Sequence, residues 1–159
     1  MSERLYPYVL FLPREKKEKV LKAIFESEVP VDILKYALKI GVTEKIFQKD
    51  LIATLGHSNK TIIYYLKSLT DLKITDEHME KAESAGRTVW VKHYTLTDLG
   101  RWFALLLVEE ESLTNEEKME IVRNALRSYA RWVRELSEKL GMSREEISSI
   151  FKGEMESSG

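Results

Sequence analysis

Leu55-Gly-His-Ser-Asn-Lys-Thr-Ile-Ile-Tyr-Tyr-Leu-Lys-Ser-Leu69 is the stretch on which the reading of this chain turns. Gly56 permits a tight turn after a short helix expected over Lys45 to Leu55, and Ser58 is placed to cap a second helix running to about Leu69. Ile62, Leu66 and Leu69 recur at helical spacing and form its inward face. Ser58, Asn59, Lys60, Thr61, Tyr64 and Lys67 are left on the rest of the cylinder. No carboxylate lies between Leu55 and Leu69, in a chain that carries 26 Asp and Glu. An ordinary surface helix here would carry two or three, whereas a helix that enters the major groove must keep carboxylates away from phosphates. The expected roles are Asn59 against adenine, Lys60 against guanine or phosphate, and Thr61 against a thymine methyl or a phosphate. Tyr64 and Lys67 suit the sugar-phosphate wall. The competing reading is an amphipathic core helix with a polar outer face, on which Tyr64 and Tyr65 simply roof the core.

Downstream, two strand-like runs are expected at Lys73 to Glu83 and Thr88 to Leu96, separated by Ser84-Ala-Gly-Arg87, where Gly86 supplies a positive φ. Thr97 then caps a helix through Val108 with Leu99, Phe103, Leu106 and Leu107 inward. Leu55-Gly56, Ser58, Thr61-Ile62, Leu66-Lys67 and Leu69 resemble the turn and recognition helix of ArsR- and MarR-like winged helix-turn-helix transcription regulators, common in archaea and bacteria. Tyr94-Thr-Leu-Thr-Asp-Leu-Gly100 is similar to the Y-x-L-T-x-x-G that follows the wing in those proteins. The resemblance covers Lys45 to Val108. It implies a homodimer presenting two recognition helices to a pseudo-palindromic operator, with the hairpin as a wing along the backbone or in the minor groove. By position Arg87 is the expected wing contact, with Lys81 and Lys92 behind it. Asp76, Glu77, Glu80 and Glu83 make the first strand unusually acidic for a wing.

Upstream, Leu5 to Leu12 reads as an extended apolar arm. A helix follows from Arg14 to about Glu28 with Val20, Ile24, Leu21 and Phe25 as its stripe, and Lys16, Lys17, Lys19 and Lys22 interleaved with Glu15 and Glu18 as a solvated face. Pro30 is expected to break the chain before a helix from Val31 to Ile40, with Ile33, Leu34, Ala37 and Leu38 inward and Gly41 as cap. At the other end, Thr114-Asn-Glu-Glu117 is a capping box. Val122, Leu126, Tyr129, Val133, Leu136 and Leu140 then alternate at four and three, a heptad seam that Met119 extends backwards and that suits dimerisation. Ser143-Arg-Glu-Glu146 opens a last short helix. The expected organisation is an N-terminal arm and helical layer over 1–42, a winged helix-turn-helix over 43–110 and a coiled-coil-like dimerisation helix with a short terminal helix over 111–159. The fold class is mainly α with a small β-hairpin.

Composition narrows the function. The net charge of −1 gives no global attraction to nucleic acid, so any such surface must come from local segregation. The high Lys and Glu content is of a kind enriched in chains built for high temperature. Without cysteine there is no disulfide, thiolate metal site or thiol nucleophile. His57, His78 and His93 lack ligand spacing, so neither metal nor cofactor is expected. Neither a glycine-rich phosphate loop nor a G-x-S-x-G elbow is present, and an enzyme is not expected. No run is long enough for a membrane helix, so a cytoplasmic location is expected. The expected function is sequence-specific binding of double-stranded DNA by a dimeric regulator, a repressor rather than an activator. The alternatives are a winged-helix protein-interaction module that does not bind DNA, and a regulator gated by a small-molecule effector held in an apolar pocket near Trp90, Trp102 and the dimer helix.

Overall fold

The computed structural model describes residues 14–107 and 113–157. The apolar arm, Val108 and the side chains of Glu15, Lys16, Lys17, Val20 and Ile24 lie outside the described residues. The chain is mainly helical with one small antiparallel sheet. In order it forms α1 (Arg14–Phe25), α2 (Val29–Ile40), β1 (Ile46–Phe47), α3 (Gln48–Leu55), α4 (Asn59–Asp71), β2 (Thr75–Ser84), β3 (Arg87–Leu96), α5 (Asp98–Leu107), α6 (Asn115–Lys139) and α7 (Arg144–Glu156). It divides into two compact units, one ending at Ile121 and the other beginning at Val122, within α6.

A single core organises the first unit. Leu21 and Phe25 of α1, Ile33, Leu34, Ala37 and Leu38 of α2, Leu51 of α3, Ile62, Leu66 and Leu69 of α4, and Phe103 and Leu107 of α5 are all buried in it. The N-terminal helices therefore share one interior with the elements that follow. Pro30 does not break the chain before α2 but sits in its first turn, where a missing N–H removes no helix bond. Lys22 pairs with Glu18 on the solvated side of α1, as its i,i+4 spacing implies, and also with Glu28 beyond the helix.

The sheet has the order β1-β3-β2. The segment expected to be wholly helical from Lys45 instead begins with β1, whose Ile46 and Phe47 pair with Tyr94 and His93. β2 and β3 pair from Thr75↔Leu96 to Ser84↔Arg87, so the loop is only Ala85-Gly86. Both loop residues have positive φ, 51° and 76°, the pattern of the primed turns that match strand twist. Alanine tolerates this region poorly, and Asn-Gly is the preferred pair. Ala85→Asn is expected to raise stability by about 0.5–1 kcal/mol, read as a shift of the urea midpoint at constant slope.

The chain leaves α4 through a six-to-one and five-to-two bond pair, Ile74 N–H to Leu69 O at 2.9 Å and Lys73 N–H to Thr70 O at 3.0 Å. Lys73 takes the left-handed position, with φ 62°, that glycine usually fills. Ile74 is thereby carried into the core and β2 starts at Thr75. Thr97 closes the other end of the hairpin. Its hydroxyl donates toward Lys73 O (2.6 Å) and Ile74 O (3.0 Å) and accepts from Gly100 N–H (3.0 Å), capping α5. The threonine and glycine of the Tyr94–Gly100 motif thus join the helix after the hairpin to the chain that enters it.

In the second unit α6 ends in a cap of the same type: Met142 N–H bonds Ser137 O at 2.9 Å and Gly141 N–H bonds Glu138 O at 3.1 Å, with Gly141 at φ 83°. Ser143 accepts from Glu146 N–H and opens α7. Arg144 pairs with Glu138 at 2.7 Å, and Tyr129 meets Phe151 edge-on at 6.4 Å.

Candidate nucleic-acid interface

Ser58 and Thr61 form the N-terminal end of α4. The Ser58 hydroxyl accepts from Thr61 N–H at 3.2 Å and lies 2.7 Å from the Thr61 hydroxyl. One hydroxyl proton is used between them, and the other is left to donate outward. No acidic residue occupies the first turn, so its remaining N–H groups and the helix dipole face the surroundings uncompensated.

The face opposite Ile62, Leu66 and Leu69 carries Lys60, Tyr64 and Lys67, all exposed, whereas Asn59, three residues before Ile62 and seven before Leu66, falls on the line of the apolar stripe and is exposed in the first turn. Lys60, Tyr64 and Lys67 follow one another at helical spacing as a single row, which ends in Asp71 beyond the carboxylate-free stretch. Neither lysine forms an ion pair with any described residue. The two tyrosines divide: Tyr65 packs against the core, whereas Tyr64 is 64% exposed and meets Tyr65 edge-on at 5.0 Å. Ile63 is also exposed on this face; helical spacing from Ile62 and Leu66 already leaves it outside the apolar stripe. His57, just before the helix, bonds Asp32 of α2 at 2.9 Å and so ties the turn to the scaffold.

Two of the four carboxylates of β2, Glu77 and Glu80, are paired with lysines, whereas Asp76 and Glu83 are exposed. Glu77 takes Lys92 at 3.0 Å and accepts from the Tyr94 hydroxyl at 3.3 Å. The Lys92 hydrogen bond holds the Glu77 carboxyl below its usual range, while burial pushes Tyr94 up to about 12. Glu80, on the opposite face of the ribbon, takes Lys45 at 2.7 Å. Lys92 is therefore engaged on the ribbon itself, and Lys81 stands over the Trp90 ring at 5.4 Å. Arg87, exposed beside the two-residue loop, forms no ion pair with any described residue. Trp90 is 61% exposed on the distal ribbon.

In α6, Ile121, Ala125 and Ser137 are buried, while the seam positions Val122, Leu126 and Leu136, and Leu140 just after the helix, are exposed, Leu126 by 61% and Leu140 by 71%. Tyr129 and Val133 are half-buried. Among the described residues no three His, Asp or Glu side chains are grouped to hold a metal ion, and no helix is long and apolar enough to cross a membrane. No family model, curated protein or solved structure matches this chain.

Proposed function

We propose that this is a winged helix-turn-helix protein that binds double-stranded DNA in the cytoplasm as a dimeric transcriptional regulator, a repressor that occludes promoter DNA. The observation that carries this reading is the outward face of α4. It offers Lys60, Tyr64 and Lys67 in one row with no carboxylate before Asp71, neither lysine paired with a described residue, and an open helix N-terminus with exposed Asn59 at its head. β2 and β3 serve as the wing. The strongest objection to a wing, its acidic first strand, is weakened because Lys92 and Lys45 consume Glu77 and Glu80, leaving Arg87 beside the tip. Ser58 and Thr61 act on phosphate through the cap, Asn59 and Lys60 on base edges, and Tyr64 and Lys67 on the backbone.

The exposed seam of α6 supplies the dimer contact in this reading. Isolated leucines on a surface are ordinary, but a helical row of them is a patch that a partner helix covers. Leu126→Glu is expected to weaken self-association at least about 30-fold, the effect of a hot spot of about 2 kcal/mol. Sedimentation velocity over a dilution series measures it, and an unchanged dimer would remove the seam from the interface.

The function is tested by fluorescence anisotropy with DNA upstream of the protein's own gene against scrambled duplex, across a salt series. Preferential binding with a slope of about six to ten neutralised phosphates per dimer is expected. Failure there, and again in selection from a random duplex library, would replace the regulator with a winged-helix protein-interaction module.

A further inference from the structure

The root of the hairpin holds a cluster that duplex binding does not use. His93 of β3 is buried where the three-stranded part of the sheet gives way to the free ribbon, since β1 pairs only with Tyr94 and His93. Its cross-strand partner is His78, and the two rings stack at 5.0 Å. His78 is held by Thr95 at 2.9 Å, and Phe47 of β1 covers the His93 ring from 5.6 Å. The Nδ1 atom of His93 is buried and has no hydrogen-bond partner among the described residues. It faces Glu80 Oε2 at 3.7 Å, and that same oxygen bonds Lys45 Nζ at 2.7 Å. One carboxylate oxygen therefore stands between a lysine that already holds it and an imidazole that could.

We propose that Glu80 is a proton-operated latch. With His93 neutral, its carboxylate holds Lys45 and ties the segment entering β1 to β2. When His93 takes up a proton, the carboxylate passes to the imidazolium and Lys45 is released. The charges around the site fit this exchange. β2 presents His78 and Glu80, the segment before β1 presents Lys45, and α3 presents Lys49 across the Phe47 ring at 6.0 Å. Asp50 of α3 acts instead on Tyr36, and Asp98 and Arg101 of α5 pair with each other. Burial, with His78 and Lys45, holds His93 below its ordinary value of 6.5 against the pull of Glu80. The unfolded chain then binds the proton more readily than the folded one. The stability tied to neutral His93 is complete above about 6.5 and is lost as pH falls from there through the folded value.

The test is amide hydrogen exchange by NMR on the whole chain, following the amides that close the β1–β3 ladder and correcting for intrinsic rates. Protection is expected to fall about tenfold as pH is lowered from about 7.5 through the titration of the His93 ring, followed in the same spectra. Lys45→Met should show the low protection already at the higher pH and no step, and Glu80→Gln should also abolish the step. Constant protection in the wild type, or a step that survives in Lys45→Met, would overturn the latch. Neither outcome depends on DNA.

Discussion

Gly100→Ala is expected to lower stability by about 3 kcal/mol or to prevent folding of the first unit. In an ordinary helix the same change stabilises by up to about 1 kcal/mol, because alanine is the better helix former. Here a methyl group at position 100 overlaps the backbone carbonyl of Ile74 and presses on Leu96 Cδ2 at 3.2 Å. The carbonyl has no freedom to move aside. It accepts from Thr97 N–H at 3.1 Å and from the Thr97 hydroxyl at 3.0 Å, while Ile74 N–H is held by Leu69 O at the end of α4. Relief of the overlap must therefore displace α5, the hairpin root or α4. Gly153→Ala is the control: nothing lies within 4 Å of its added carbon on α7, and it should be neutral or stabilising. Urea denaturation followed by circular dichroism compares them. Equal, small effects from both would show that α5 does not sit against Ile74 so closely.

The double substitution Lys60→Ala, Lys67→Ala is expected to weaken duplex binding by about 100-fold at moderate salt and to flatten the logarithmic salt slope by about four in a dimer, one per lysine. Both side chains are exposed and without ion pairs to described residues, so the urea midpoint should shift by no more than about 0.5 kcal/mol equivalents. That separation between binding and stability makes the prediction informative. Loss of affinity that is the same at every salt concentration would point to a structural role for α4 and against phosphate contact. Unchanged affinity in a wild type that binds well would move the DNA surface elsewhere on the molecule.

Much of the fold was legible because it rests on local rules. Ser58, Ser143 and Thr97 cap the helices expected of them, Gly56 and Gly141 end theirs, and helical spacing selects Ile33, Leu34, Ala37 and Leu38 of α2 and Ile62, Leu66 and Leu69 of α4, all buried; on α5 it selects Phe103 and Leu107, while Leu99 and Leu106 are half-buried and Gly100 and Ala104 are buried beside them. The exposed row of α4 follows from the same spacing, since burying Ile62, Leu66 and Leu69 leaves Lys60, Tyr64 and Lys67 no other side to occupy. Each of these features needs only neighbours within a turn or two. β1 is different: two residues have no period to read, and their strand partner lies more than forty positions away. A separation of 35 positions likewise hid the pairing of Glu80, because no local spacing joins it to Lys45. Tertiary structure alone decided that Lys92 would be spent on Glu77, that Trp90 would stand in solvent, and that His78, His93, Glu80 and Lys45 would meet at one point. Side-chain chemistry and helical period are properties of the chain, whereas cross-strand register and the pairing of distant charges exist only once the backbone has closed.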